Sequence, residues 1–220
     1  MSSLDKASAL TPLHSNGEAN LAVGRRILAD HRQRMAGQYG SMLEALAGTG
    51  VDARAFAQDI GVENVLVNDM DPACVAILAQ TFPHVTSLDI NKEGQQLFIP
   101  VDLVYLDYNT HTLGRVYNRD RRLCTTDRLA FSTARKFVIL NDSSIFGYRI
   151  WSKKHYSRML GAEIPSEEAF YKAMAGYYHG LYPEWNLTAV GYCFTTKNGG
   201  FAYLLFSRQP GELTIREYKQ

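Results

Sequence analysis

Apolar and polar positions follow two patterns along this chain, and each pattern predicts one kind of element. Short apolar runs bounded by polar or turn residues predict five strands, over residues 41–46, 63–69, 84–89, 101–109 and 137–142. Between them, apolar residues recur at helical spacing and predict helices over residues 52–61, 72–82 and 127–136. Strands that alternate with helices in this way predict a parallel sheet covered on both faces.

The two ends of the chain add further elements. Residues 18–35 have helical spacing, and residues 166–180 predict a helix with Ser166 as N-cap and Gly180 as its stop. Two strand-like runs flank Lys-Asn-Gly-Gly at 197–200, which predicts a hairpin. The predicted fold class is α/β, a Rossmann-like, mostly parallel seven-stranded sheet with helices on both faces and a C-terminal antiparallel hairpin. We expect a disordered N-terminus (1–16), a helical segment (17–40), one α/β domain (41–210) and a C-terminal tail (211–220).

Composition narrows the class of protein. With 46% hydrophobic and 20% charged residues over 220 positions, the chain is typical of a globular domain, and no apolar run approaches a membrane span. Cys74, Cys124 and Cys193 are odd in number and far apart, so they form neither a disulfide framework nor a metal cluster. The N-terminus lacks a secretory signal pattern. We therefore expect a cytoplasmic protein with neither a metal nor a membrane partner.

A small-residue loop follows the first predicted strand, within the stretch Leu-Glu-Ala-Leu-Ala-Gly-Thr-Gly at 43–50. Gly48 and Gly50 would let the backbone approach a ligand at the start of the next helix. Ala53 replaces the third glycine of a dinucleotide fingerprint, and the chain has no phosphate-binding Gly-Lys-Ser/Thr. A cofactor with ribose and adenine but no pyrophosphate fits this loop better than a nicotinamide or flavin dinucleotide.

Four successive predicted strands end in carboxylates, namely Glu44, Asp69, Asp89 and Asp107. The carboxyl ends of parallel strands meet at one edge of the sheet, and open α/β sheets bind ligands at that edge. An acidic residue at the end of the second strand is placed to accept hydrogen bonds from a ribose hydroxyl pair. Four such residues in register favour a ligand site over ordinary helix caps and turns.

Residues 43–77 resemble the cofactor half of class I S-adenosylmethionine (SAM)-dependent methyltransferases, with the general likeness extending over 41–208. The order acid-x-Leu-Ala-Gly-x-Gly at 44–50 followed by Asn-Asp-x-x-Pro at 68–72 is similar to that of the tRNA dimethylguanosine methyltransferases. The resemblance implies that SAM is the cofactor. It also implies a set of cofactor-binding residues: Glu44, Ala45, Leu46, Ala47, Gly48, Thr49 and Gly50 around the methionine part, Asp69 on the ribose, Asn68 and Met70 beside the adenosine, and Asp89 and Ile90 beside the adenine.

The chain departs from this family at the fourth motif. Amino-group methyltransferases carry Asp/Asn-Pro-Pro-aromatic or, in the tRNA relatives, Asp-Pro-Phe-Gly, whereas this chain has Asp107-Tyr108-Asn109-Thr110. These residues still offer acceptors that could orient an amine and a ring that could stack on a base. Asp107, Tyr108 and Asn109 are therefore the candidate catalytic residues.

Basic residues concentrate after the fourth motif. Residues 115–158 hold eleven Lys or Arg against three Asp or Glu, although the net charge of the chain is only +1. Cations interleaved with aromatic rings suit a phosphate backbone with exposed bases. The candidate substrate-binding residues are Arg119, Arg121, Arg122, Arg149, Trp151 and Lys153, which favour an RNA or DNA acceptor. A small-molecule or protein acceptor, and a cofactor-fold protein without methyl transfer, remain alternatives.

Overall fold

The computed structural model describes residues 17–90, 96–107, 125–142, 157–158, 160–196 and 199–220. The helices are α1 (Gly17–Met35), α2 (Val51–Ile60), α3 (Pro72–Leu78), α4 (Thr125–Thr133) and α5 (Glu167–Leu181), with a 3₁₀ turn at Val62–Asn64. The strands are β1 (Met42–Glu44), β2 (Val65–Asn68), β3 (His84–Thr86), β4 (Val101–Leu106), β5 (Ala134–Asp142), β6 (Asn186–Thr196), β7 (Gly199–Ser207) and β8 (Thr214–Glu217). The predicted disordered segment 1–16 lies outside the described residues.

All described strands join one sheet in the order β3-β2-β1-β4-β5-β7-β6-β8. The strands β1 to β5 pair in parallel, β7 is antiparallel to both β5 and β6, and β8 is parallel to β6. The carboxyl ends of β1 to β5 consequently meet along one side of the sheet, called here the carboxyl edge. The connection that leaves β1 and the segments that follow β2, β3 and β4 all start from this edge.

The side chains of the strands divide the core into two layers. Along β4, Leu103 and Tyr105 pack with α1 and α2 on one face, whereas Val104 and Leu106 pack with α4 and α5 on the other. This alternation follows from the two-residue period of a strand, and both faces are apolar because helices cover both. The prediction of a mostly parallel sheet between two helical layers is confirmed.

Two sequence predictions about the fold are wrong. The sheet has eight strands rather than seven, since β8 arises from segment 211–220, where the sequence indicates only a tail. Gly180 does not stop α5, because the helix continues to Leu181 and the backbone N–H of Tyr182 caps it by donating to Tyr178. The predicted N-cap is confirmed, since the hydroxyl of Ser166 accepts a hydrogen bond from the backbone of Ala169.

None of the helices in the described part of the chain is long and apolar enough to span a membrane.

Candidate functional site

The loop at residues 45–50, called here the glycine loop, is fixed by backbone hydrogen bonds to its neighbours at the carboxyl edge. The N–H of Ala45 donates to the carbonyl of Tyr105 over 3.1 Å, and that of Ala47 to the carbonyl of Asn68 over 2.9 Å. The N–H of Gly50 closes the turn by donating to Ala47 over 2.7 Å. The loop therefore has a defined backbone shape between β1 and α2.

The two glycines of this loop have different roles. Both have positive φ angles, 53° at Gly48 and 74° at Gly50, in the left-handed region that favours glycine. A Cβ at Gly48 would meet nothing within 4 Å, so this position faces open space. A Cβ at Gly50 would lie 2.5 Å from a methyl of Leu78 and 3.2 Å from the ring of Phe82. A side chain at Gly50 would therefore collide with other residues of the protein, whether or not a ligand is bound.

Asp69 follows β2 and anchors the glycine loop. Its Oδ2 accepts a hydrogen bond from the backbone N–H of Gly48 over 2.8 Å, and its Oδ1 accepts one from Asp71 over 2.8 Å. A carboxylate has about four acceptor positions, so these two bonds leave capacity for ribose hydroxyls. Met70, the next residue, is 63% exposed and presents apolar surface beside this carboxylate. The ribose and adenosine roles of these two residues stay predictions.

Asn68 is a cross-link between strands, a role that the sequence analysis missed. Its amide donates to the carbonyls of Ala45 and Leu88, each over 3.1 Å. Its carbonyl oxygen accepts from the hydroxyl of Thr86 and from the backbone N–H of Leu88, each over 2.9 Å. Because the side chain is only 1% exposed, these bonds are shielded from water. Asn68 therefore ties the glycine loop to the segment that follows β3.

The two residues predicted to border the adenine lie in that segment. Asp89 is half-buried and lies three residues beyond the end of β3 at Thr86, rather than on the strand itself. Ile90 is buried and packs in the core layer of α4 and α5, as does the partly buried Leu46 of the glycine loop. These two apolar side chains therefore hold the glycine loop and the segment after β3 against the core.

Three carboxylates form what we call the acidic cluster: Glu44 at the end of β1, Asp52 in the first turn of α2 and Asp107 after β4. Glu44 is 1% exposed, and its Oε2 has no hydrogen-bond partner among the described residues. Burial, followed by the charges of Asp52 and Asp107, raises the pKa of Glu44 well above its ordinary value, against a backbone hydrogen bond from Ala53. Burial therefore disfavours the charged form of Glu44.

The pKa of Asp107, the third carboxylate of the cluster, is raised to near neutrality. Desolvation and the charge of Asp52 raise the pKa of Asp107 to about 7. The side-chain amide of Asn141, at the end of β5, donates to Oδ1 of Asp107 and opposes this shift. A carboxylate with this pKa is suited to exchange a proton with a reacting group at physiological pH.

Two buried tyrosines complete the cluster. The hydroxyl of Tyr105 donates to Oδ2 of Asp52 over 3.1 Å. Burial raises the pKa of Asp52, while the hydrogen bond from Tyr105 and the charge of Arg25 oppose the shift. Burial and the charge of Asp107 also raise the pKa of Tyr105 and of Tyr203 well above the ordinary value, so both hydroxyls remain protonated.

Four residues of this arrangement were not singled out from the sequence: Asp52, Tyr105, Asn141 and Tyr203. Two of them could have been found from the sequence. Asp52 lies two residues after the glycine loop, and Tyr105 lies two residues before Asp107 on a strand that ends at the same edge. Asn141 and Tyr203 could not have been found in this way, because only the order of the sheet brings β5 beside β4 and β7 beside β5.

The remaining predicted residues lie outside the described residues. They are the catalytic candidates Tyr108 and Asn109 and the substrate-binding candidates Arg119, Arg121, Arg122, Arg149, Trp151 and Lys153.

No family model and no curated protein matches this chain. Solved structures do match over most of its length. A SAM-dependent methyltransferase from Clostridium acetobutylicum has a TM-score of 0.59 at 11% identity, over 94% of this chain and 99% of that one. The magnesium protoporphyrin IX methyltransferase from Synechocystis with bound SAH has 0.53 at 14% identity, over 87% and 83%. An rRNA methylase from Streptococcus thermophilus has 0.50 at 8% identity, over 84% and 97%. The chain therefore has the α/β fold of these methyltransferases.

Proposed function

We propose that this protein is a SAM-dependent methyltransferase that binds SAM at the glycine loop. The observation that carries the proposal is the hydrogen bond from Gly48 to Asp69 at the carboxyl edge, in a chain with a methyltransferase-like fold. It joins the two segments that resemble the cofactor motifs, and it leaves open space over Gly48. A ligand there would meet a preformed backbone rather than a loop that must first become ordered.

Each described residue has a defined task in this proposal. Asp69 accepts hydrogen bonds from the ribose hydroxyls with its remaining lone pairs, and Met70 covers one side of the adenosine. SAM supplies a methyl group activated by the positive charge on sulfur. Asp107 orients the nucleophile and takes its proton, which its pKa near 7 permits. Tyr108 and Asn109 would continue the acceptor side of the site.

We propose a nucleic acid as the methyl acceptor. The support is the excess of eleven Lys or Arg over three Asp or Glu at residues 115–158, which begins directly after the fourth motif. The fold does not choose the acceptor, since the matched structures include enzymes named for a porphyrin and for rRNA. In this proposal Arg119, Arg121 and Arg122 contact phosphates, and Arg149, Trp151 and Lys153 also bind the acceptor.

The function is tested by binding followed by transfer. Thermal melting with SAM and with its demethylated product SAH should raise the midpoint for both ligands, whereas ATP and NAD should not. Incubation with methyl-labelled SAM and separate pools of RNA, DNA and metabolites should then label a nucleic acid. The absence of label in every pool, despite binding of SAM, would leave a cofactor-fold protein without transferase activity.

The acceptor class is tested by the triple substitution of Arg119, Arg121 and Arg122 with Ala. If these side chains contact phosphates, acceptor binding weakens, and its salt dependence falls by up to about three contacts' worth, because fewer counterions are released. Affinity for SAM should be unchanged. A salt dependence equal to that of the unaltered protein would instead favour a small-molecule acceptor.

A further inference from the structure

The side-chain amide of Asn68 uses its whole hydrogen-bonding capacity inside the protein. A primary amide has two N–H donors and an oxygen that accepts two hydrogen bonds. Both donors of Asn68 are used, on the carbonyls of Ala45 and Leu88. Both acceptor positions are used as well, by the hydroxyl of Thr86 and the backbone N–H of Leu88. This side chain, 1% exposed, therefore has no donor or acceptor left for a ligand.

The same amide continues the pairing of β2 and β3 beyond the ends of both strands. Asn68 and Thr86 are register partners and are the last residues of these strands. Two residues further on, the carbonyl of Leu88 accepts from the Asn68 amide over 3.1 Å and its N–H donates to that amide over 2.9 Å. The side chain thus takes the place of a peptide group in a longer ladder. The positions of Leu88, and with it of Asp89 and Ile90, depend on this two-point pairing.

Residue 68 also holds the glycine loop at two points. Its backbone carbonyl accepts a hydrogen bond from the N–H of Ala47 over 2.9 Å, and its side chain donates to the carbonyl of Ala45 over 3.1 Å. One buried residue therefore sets the separation between the glycine loop and residues 87–90. The resemblance described above assigns these two segments to the methionine part and to the adenine of SAM.

We propose that Asn68 is a positioning residue of the SAM site, which holds the glycine loop and residues 87–90 at the separation that the cofactor spans and does not itself contact the cofactor. This inference rests on the proposed function, because it takes SAM to bind between these two segments. It replaces the place beside the adenosine that the sequence predicts for Asn68. A site whose two sides are already in place binds its ligand without the entropic cost of ordering either of them.

Two substitutions separate the side-chain amide from the rest of residue 68. Leucine is similar in size and has no polar group, so Asn68→Leu removes all four side-chain hydrogen bonds. Asn68→Asp keeps acceptor oxygens for Thr86 and for the N–H of Leu88, but a carboxyl group cannot donate to both carbonyls. The bond from the N–H of Ala47 to the backbone of residue 68 is available in both variants. Any change in the site is therefore due to the side chain.

Amide hydrogen exchange of Leu88, combined with isothermal titration of SAM, tests the inference without any methyl acceptor. In the parent the N–H of Leu88 should exchange slowly both with and without SAM, because Asn68 already pairs it. In Asn68→Leu it should exchange almost as fast as an unprotected amide, and SAM should restore its protection. The affinity for SAM should fall at least about tenfold, which corresponds to a segment that is in place about one-tenth of the time.

Trp185→Phe is the control for a general loss of stability. It removes another buried hydrogen bond from a side chain to the backbone, the 3.0 Å bond from Nε1 to the carbonyl of Phe131. Trp185 directly precedes β6, whose first residues lie on the edge of the sheet opposite the carboxyl edge. The control should be less stable than the parent and bind SAM equally well. If Asn68→Leu does not fold, Asn68→Asp should show both the faster exchange of Leu88 and the loss of affinity.

Three outcomes would contradict the account in different ways. Unchanged affinity for SAM in Asn68→Leu, although Leu88 has lost its protection, would overturn the inference. A loss of affinity while Leu88 stays protected without ligand would also overturn it, because Asn68 would then be a direct ligand of the cofactor. Absence of SAM binding to the folded parent would overturn the proposed function itself.

Discussion

Two adjacent parts of the carboxyl edge are built in opposite ways. Around Asn68 and Asp69, every polar group of the two side chains discussed above has a partner, and these hydrogen bonds fix the glycine loop. Around Glu44 and Asp107, one carboxyl oxygen has no described partner and burial raises both pKa values. The hydrogen bonds of the first part fix the shape of the glycine loop, whereas the second part holds buried carboxyl groups whose pKa values are raised.

Gly50→Val should have the largest effect on stability, because the new side chain collides with residues that pack against the glycine loop. A β-branched residue at φ 74° is strained, and its Cβ would lie 2.5 Å from Leu78. Strain and overpacking together should lower the free energy of unfolding by about 3–5 kcal/mol. Urea denaturation measures this, with Thr49→Ser as the neighbouring control. A stability within about 1 kcal/mol of the parent would remove the proposed packing role of Gly50.

Asn68→Leu should come next. It leaves the carbonyls of Ala45 and Leu88 and the N–H of Leu88 without their buried partner, at a total cost of about 3 kcal/mol. Asn64→Leu is the matched control, since the exposed amide of Asn64 bonds only to nearby groups and water can replace those bonds. Equal losses in the two variants would show that the cross-link contributes no more than a surface amide.

Asp107→Asn should have a smaller effect that depends on pH. The folded pKa of Asp107, about 7, lies above its ordinary value of 3.8, so the folded protein binds a proton more tightly than the unfolded chain does. Its stability contribution is therefore lost as the pH rises from about 4 to 7. The variant should gain about 2 kcal/mol relative to the parent between pH 5 and pH 8, after allowance for partial solvation. A difference between the two proteins that stays constant with pH would contradict the raised pKa.

Gly48→Ala should have the smallest effect on stability. The positive φ of 53° costs about 1 kcal/mol, and the new Cβ meets nothing within 4 Å. Because this open space is the proposed position of the cofactor, SAM affinity should nevertheless fall at least about tenfold, as isothermal titration would measure. Unchanged affinity would place the ligand elsewhere.

The sequence predicted the parts of this molecule that depend on local pattern. Strand and helix periodicity, the Ser166 cap and the carboxylates near four strand ends all follow from neighbouring residues. β8 was missed because it is short and mostly exposed, so Thr214–Glu217 shows little apolar alternation. The acidic cluster was found only in part, since Asn141 and Tyr203 reach Asp107 through sheet order rather than through any motif. The predicted end of α5 at Gly180 was wrong, because the position of a helix end depends on packing as well as on residue type.

The central claim is that SAM binds at the glycine loop through Asp69, and isothermal titration of SAM against the parent and Asp69→Ala tests it most directly. The account predicts saturable binding of one SAM to the parent. Affinity should fall ten- to a hundredfold in the variant, because a charged hydrogen-bond acceptor contributes about 1.5–3 kcal/mol. Asp71→Ala, which removes the N-cap of α3 but not the anchoring carboxylate, is the control for loss of local structure. Binding to Asp69→Ala as tight as to the parent, or no binding to a folded parent, would contradict the account.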